Sequence, residues 1–372
     1  MNKSIFLIGA LIPCVTLAQD ISYHVKGNIK NWKGRDTVVL NYTVNNALKS
    51  DTALASNGKF EFKGQLAEPV MTYIHLQKPM KPDERRDFGQ FYLEDGVIQL
   101  NAVDSLKQMK VTSRIVNKDY QQIEALTAAD FQHIGALRAR AMAMTAAERK
   151  SPEFTVLDSS YKASIDSVQS IRLRFAKQHP SNYMALVTLD HFAGMTMQYE
   201  KTAPVFASFS PAVKNTPLGK SFAARLEKAK QTVTGAVMPS FTSYDTSRNP
   251  IQLNDVVHHA KVTLVDFWAS WCGPCRAENP NVVKAFNAFR EKGFDIISVS
   301  LDDNADRWKA AIIKDGMPWH HVSGLQKWEE PVAKYFGIEA IPDNFLLDEQ
   351  GRVVARGVKG EALYQKIAAM LK

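Results

Sequence analysis

Cysteine is scarce in this chain: three in 372 residues, at positions 14, 272 and 275. So few thiols exclude a disulfide-stapled scaffold, which needs several bridges. Long apolar runs are missing as well. The stretch from Ile5 to Leu17 is too short to cross a bilayer, and no later stretch approaches the length a membrane helix needs. No solenoid repeat stands out. Acidic residues are not in excess either. The formal charge is +8, and residues 236–372 hold 16 Lys and Arg against 17 Asp and Glu, so the basic surplus lies ahead of residue 236. Dispersed over that length, it reads as a solvated surface with loose attraction to an anionic envelope, not as a nucleic-acid footprint.

What is present suits a soluble globular protein of two or three domains: hydrophobic residues make up 45% and charged residues 23%, which leaves little room for extensive disorder. The first eighteen residues are set apart as a secretory signal. Lys3 supplies the positive start, Ile5 to Leu17 the apolar core, and "TLA" the small residues before cleavage after Ala18. "LIPC" loosely resembles a lipid-attachment signal through Cys14, but Pro13 stands where that signal wants a small residue, so plain cleavage is expected. Export to the periplasm then leaves Cys272 and Cys275 as the only thiols in an oxidising compartment.

Three stretches of different character follow. Residues 19–113 alternate like half-buried strands between turn signals, with Asn57-Gly58 as a tight hairpin and a similar pattern around Asp95-Gly96, so an antiparallel β-sandwich is expected. "KPMKPDERRD" at 78–87 reads as a charged loop. Residues 114–235 show helical period, as in "YQQIEALTAADFQHIGALRARAMAM", and end in a linker; this segment reads as a spacer or docking surface. Residues 236–372 run strand, helix, strand, helix, then an antiparallel hairpin and a closing helix, which specifies an α/β mixed sheet covered by helices.

In "DFWASWCGPCRAENP" the two cysteines fall where a strand ends and a helix begins. There the free N–H groups and the helix dipole favour a thiolate, lowering a cysteine from about 8.5 to roughly 3.5–7.5, so Cys272 is the expected nucleophile. Cys275, one turn on and more buried, would resolve the mixed disulfide. Gly273 and Pro274 keep the turn tight and open the helix. A zinc site is disfavoured, because His258-His259 and His320-His321 lack finger spacing from the cysteines and adjacent histidines on a strand face apart. Neither metal nor cofactor is expected.

"VDFWASWCGPC", "AIPDNFLLDEQG" and the final helix together resemble the thioredoxin superfamily, within it the exported thiol:disulfide oxidoreductases of the TlpA and ResA type. The resemblance implies a redox disulfide between Cys272 and Cys275 and a cis-proline at Pro342, with Ile341 shaping substrate contact. It also implies a buried acid at Asp266 and a second acid at Glu278, in a C-x-x-C-x-x-E-x-P run completed by Pro280. Either carboxylate, if buried, could take the proton of the resolving thiol. The segment "DDNADRWKAAIIKDGMPWHHV" resembles the inserted helix and strand of that branch. More weakly, residues 21–113 resemble a β-rich domain of unassigned function found in bacteroidete envelope proteins.

Trp268 is expected to pack beside the first turn, and Trp271 to form exposed apolar surface around the sulfur. Arg276 is either a thiolate partner or a surface residue. A peroxidase is the chief enzymatic alternative, but the P-x-x-x-T-x-x-C pattern of peroxiredoxins has Val265 and Ala269 at its places here. A partner-binding envelope protein with secondary redox activity is the other. Gly-Pro between the cysteines is the dipeptide of thioredoxin, which stands at about −270 mV against about −120 mV for the oxidant DsbA, so reduction of protein disulfides is favoured. A reductase in an oxidising compartment must be recharged, and the resemblance implies a membrane electron donor of the DsbD or CcdA kind. It offers disulfide-bearing proteins, oxidised apocytochrome c among them, as substrates.

Overall fold

The computed structural model describes residues 20–32, 34–77, 87–194 and 197–372. The signal segment with Cys14, and the 78–87 loop apart from Asp87, lie outside them. The first eight strands are β1 (Ile21–Ile29), β2 (Arg35–Val44), β3 (Ala47–Ser56), β4 (Lys59–Leu66), β5 (Val70–Leu76), β6 (Phe88–Leu93), β7 (Gly96–Ala102) and β8 (Lys110–Thr112). They form one sheet in the order β6-β5-β2-β3-β4-β1-β7-β8. Two two-residue turns hold its centre together. Asn45 and Asn46 (φ 51° and 61°) join β2 to β3, and Asn57 and Gly58 (φ 51° and 78°) join β3 to β4. Paired positive φ angles twist such turns to match the strands they connect. Gly58 has a second reason to be glycine, since a Cβ there would lie 2.1 Å from the Ile29 carbonyl oxygen.

The sheet corrects two expectations. Asp95-Gly96 is not a hairpin: only Gly96 has positive φ, and β6 and β7 pair with different neighbours. Instead β7 runs parallel to β1. That pairing merges what would be two facing layers into a single sheet, so the expected all-antiparallel sandwich gives way to a nearly closed, barrel-like sheet. Its inward residues, among them Val25, Leu40, Phe60, Ile74, Phe91 and Ile98, fill one core. Closure is helped by Asp87 at the start of β6, which accepts hydrogen bonds from the Ser105 hydroxyl (2.7 Å) and the amides of Leu106 and Lys107 (both 2.9 Å) in the turn before β8.

Helices α1 (Val116–Ala143), α2 (Pro152–Gln178), α3 (Tyr183–Ala193), α4 (Tyr199–Ser208), α5 (Pro211–Lys214) and α6 (Pro217–Lys230) follow. Glu94, just past β6, docks the first of them: its carboxylate accepts from the amides of Ile115, Val116 and Asn117 at 2.9–3.1 Å. Burial opposes its charge, but the Ser113 hydroxyl and those amides prevail and hold it below the usual carboxylate range. The chain divides into two compact units; the first ends at Thr188 and takes in Phe209–Lys220, and the second comprises Leu189–Ser208 and Ser221–Lys372. The boundary drawn at residue 235 therefore falls inside the second unit. Gly235 N–H donates to Val353 O (2.7 Å), Val353 N–H to Ala236 O (2.8 Å) and Met238 N–H to Gly351 O (2.9 Å), so the expected linker is bonded backbone.

The second unit carries a small ribbon, β9 (Thr242–Tyr244) with β10 (Pro250–Gln252), then α7 (Leu253–His258) and a five-stranded sheet. Its strands are β11 (Val262–Trp268), β12 (Phe294–Ser300), β13 (His320–Val322), β14 (Asp343–Asp348) and β15 (Val353–Arg356), with helices α8 (Gly273–Phe289), α9 (Ala305–Asp315), α10 (Pro331–Tyr335) and α11 (Gly360–Met370). The order is β13-β12-β11-β14-β15; β11, β12 and β13 are parallel, while β14 and β15 are antiparallel to their neighbours. This is the expected mixed sheet. All seven residues of β11 are buried, as a central strand requires. Phe267 meets Phe345 of β14 edge to face at 6.2 Å, and truncating such a side chain to alanine costs about 3–5 kcal/mol. Rigid packing at its root places the end of β11.

Candidate active site

The β11 strand delivers the chain to a short turn from which α8 starts, and Cys272 is the N-cap of that helix. Its sulfur accepts a hydrogen bond from the Cys275 amide at 3.1 Å, one of the donors a helix N-terminus leaves unpaired. Pro274 follows Gly273 in the first turn, where a proline sacrifices no helical hydrogen bond. The two sulfurs are joined as a disulfide. Cys272 is 5% exposed and Cys275 1%, so the first sulfur is the one that a partner can approach. Both Gly273 and Pro274 are exposed beside it. The Ile341 carbonyl lies 3.9 Å from the Cys272 sulfur, and the Ile341-Pro342 bond is cis. Five of the residues singled out from the sequence thus meet around one disulfide: Cys272, Gly273, Pro274, Ile341 and Pro342.

Asp266 lies six residues before Cys272 on β11 and is buried. Burial pushes its carboxyl up to about 7; the Ser298 hydroxyl, which donates to it at 3.1 Å, opposes the shift, the charges of Glu278 and Asp343 add to it, and Lys359 opposes. A hydrogen-bond chain fixes that hydroxyl, because the Trp319 indole N–H donates to Ser298 Oγ at 2.9 Å. A carboxyl that exchanges its proton near neutrality suits general acid–base work. Glu278, one turn beyond Cys275, has a different environment. It is half-buried and already engaged, accepting from the Asn281 side chain (2.9 Å) and from the Gly360 amide (2.6 Å) at the start of α11. Its observed contacts anchor the last helix beneath the site.

Around the sulfur, Trp271 is 47% exposed, donates its indole N–H to Leu301 O at 3.3 Å, and rests 6.2 Å from Trp328. Trp268 is buried and meets the ring of His321 edge-on. Arg276 points away from the cysteines: it forms a bidentate pair with Asp315 at the end of α9 and donates to Ser270 O at 3.1 Å. Asp302 was not anticipated. Fully buried, it accepts from the Ser270 amide (2.9 Å), the Ser270 hydroxyl (2.5 Å) and the Ser300 hydroxyl (2.6 Å), clamping the turn that precedes Trp271 and Cys272. Its place was a usable signal, since ligand and active sites of open α/β sheets gather at the carboxyl ends of strands and Asp302 follows the end of β12. The paired histidines separate as their alternation predicts: His320 faces Asp295 at 3.4 Å, while His321 is buried and holds Met317 O at 3.1 Å.

Residues 233–368 match the family model described as Redoxin, and residues 23–120 match one described as a domain of unknown function, DUF4369. Residues 233–368 are a thioredoxin-like Redoxin domain with relatives of the ResA type. Its relatives include the thiol-disulfide oxidoreductase ResA of Bacillus anthracis, 28% identical over 138 residues, which span 37% of this chain and 76% of ResA. The thiol:disulfide interchange protein HelX of Rhodobacter capsulatus is 31% identical over 99 residues, 26% of this chain and 51% of HelX. Among solved structures, the thioredoxin domain of a thiol-disulfide oxidoreductase from Bacteroides vulgatus is 36% identical, with 38% of this chain and 99% of that one covered and a TM-score of 0.35. With its Cys272–Cys275 disulfide, this Redoxin-domain protein is a thiol-disulfide oxidoreductase. Ala269, which is buried, stands where a peroxiredoxin would offer its threonine hydroxyl.

Proposed function

We propose that this chain is an exported reductase of protein disulfides. The observation that carries the reading is the asymmetry of the pair: Cys272 caps a helix beside Ile341-Pro342, whereas Cys275 is sealed in the core. In the dithiol state the Cys272 thiolate attacks one sulfur of a substrate disulfide, forming a mixed disulfide and expelling the first substrate thiolate. Cys275 then loses its proton to Asp266 and attacks Cys272 Sγ. The second substrate thiolate leaves, both leaving groups take up protons, and two electrons have passed to the substrate as the Cys272–Cys275 bond forms. Ile341 and Pro342 offer backbone for the substrate chain to pair with, and Trp271 gives it apolar cover. Glu278 acts on Asp266 through its charge, as a positioning residue.

The Gly273-Pro274 dipeptide supports the reducing direction, and a membrane donor of the DsbD or CcdA kind returns the pair to the dithiol in the periplasm. Among the described residues no helix is long and apolar enough to cross a membrane, so that donor is a separate protein on this reading. The test begins with the equilibrium potential of the pair in defined thiol buffers; a value near or below about −250 mV is expected, and one of about −120 to −180 mV would make the protein an oxidase or isomerase. Cys272→Ser should abolish insulin reduction and Cys275→Ser should accumulate mixed disulfides with substrates. Peroxide turnover surviving in Cys275→Ser, with insulin untouched by the wild type, would instead favour a peroxidase.

A further inference from the structure

Pro342 also stands in the wall of a cavity of about 490 Å³ that neither cysteine lines. Its size is within the range of about 300–1,000 Å³ usual for ligand sites. Another part of the wall precedes the region matched to the Redoxin family: it is the first turn of α4, with Tyr199 and Lys201, and it is continued by Val233, where that region begins, in the strap that leads to β9. Arg356 and Lys359 complete the rim from the β15–α11 side. All these residues belong to the second compact unit.

Two arguments indicate what the cavity receives. The first is position. A polypeptide whose cysteine sits at Cys272 and whose backbone runs past Ile341 and Pro342 advances about 3.3 Å per residue, so the residues flanking its cysteine enter this space within one or two steps. The second is charge. Arg356 is matched by Asp343 at 2.7 Å, but Lys201 and Lys359 are exposed and neither forms an ion pair among the described residues. The remaining acid, Glu200, also lines the cavity and offsets one of these two charges, which leaves one lysine in excess. The cavity therefore keeps uncompensated positive charge.

We infer that this cavity seats the segment of substrate polypeptide beside its reactive cysteine and selects for an acidic side chain there, with Lys201 on α4 as a specificity-determining residue. The inference rests on the disulfide-reductase reading and adds a substrate preference to it. The test uses the exported chain, residues 19–372, reduced beforehand, and two synthetic peptides with the same intramolecular disulfide that differ only in Glu or Lys next to one cysteine. The ratio of their kcat/KM values should favour the Glu peptide by about threefold to fivefold, the scale of an exposed charge pair, and shrink in 0.5 M salt. Lys201→Glu should reverse the preference; Lys201 is preferred to Lys359 for this test because Lys359 lies in the field of Asp266. Thr234→Trp, which places bulk in the cavity, should raise KM for both peptides. A wild-type ratio near one, a ratio unmoved by Lys201→Glu, or an unchanged KM in Thr234→Trp would overturn the inference and leave the reductase reading standing. Failure of the wild type to reduce either peptide would instead remove the reductase reading itself.

Discussion

Replacing Asp266 by Asn should make the protein more stable and less active, and the stability gain should depend on pH in a way the structure specifies. The Asp266 carboxyl is pushed up to about 7, chiefly by burial. In the unfolded chain it titrates at about 3.9. Below about pH 4 both states hold the proton and the site costs nothing. As pH rises towards 7 the unfolded chain ionises while the folded one keeps its proton, so stability is progressively lost. Three units at 1.36 kcal/mol each give a penalty of about 4 kcal/mol, reached near pH 7. Asparagine imitates the protonated form, and its carbonyl oxygen can still accept from Ser298. Urea unfolding of the oxidised protein, followed by tryptophan fluorescence, is a suitable assay because five of the six tryptophans lie between Trp268 and Trp328. The expected gain is about 4 kcal/mol at pH 7.5 and near zero at pH 4, together with slow release of substrate from the Cys272 mixed disulfide. An equal gain at both pH values, or none at either, would refute the assignment of Asp266 as a buried, proton-exchanging carboxyl.

Burial holds His321 down at about 4, with the Met317 carbonyl opposing and His320 contributing in the same direction as burial. This sign is the opposite of that at Asp266: the unfolded histidine protonates from about 6.5 while the folded one stays neutral, so about 3 kcal/mol is lost as pH falls from 6.5 to 4. His321→Gln removes that loss, so its urea midpoint should gain on that of the wild type as pH falls from 6.5 to 4; a difference between the two that does not change with pH would count against it. Because the two linkages nearly cancel between pH 4 and 7, each single variant should show a steeper pH dependence than the wild type. Asp302→Ala leaves the Ser270 and Ser300 donors without their acceptor and should cost about 2–3 kcal/mol, with a raised KM for insulin because the turn before Trp271 loosens. Retention of both stability and KM would show that the clamp does not position the site.

The redox pair and its setting were legible because they are local. Cys272, Cys275 and Asp266 lie within ten residues of one another on a strand–turn–helix whose alternation and helix-opening Pro274 can be read directly. The five-stranded sheet followed for the same reason, each element carrying its own periodicity. What escaped was non-local. Nothing in "QFYLEDGVIQLNA" distinguishes a hairpin from a crossing to β1, since Asp95-Gly96 resembles a turn in either case and only the parallel partner decides. The Asn45-Asn46 turn was missed although asparagine is the residue, after glycine, that best tolerates positive φ. Asp302 and the Trp319–Ser298–Asp266 chain depend on residues tens of positions apart. Glu278 shows the limit of motif transfer: it stands in the C-x-x-C-x-x-E-x-P run, but its grip on the Gly360 amide could not be read from that run.

The chain passes between its two compact units three times, at 188/189, 208/209 and 220/221. Consequently a cut between 189 and 220 leaves each fragment holding residues of both units, whereas a cut at 220/221 keeps all five strands of the redox sheet and both cysteines on one fragment.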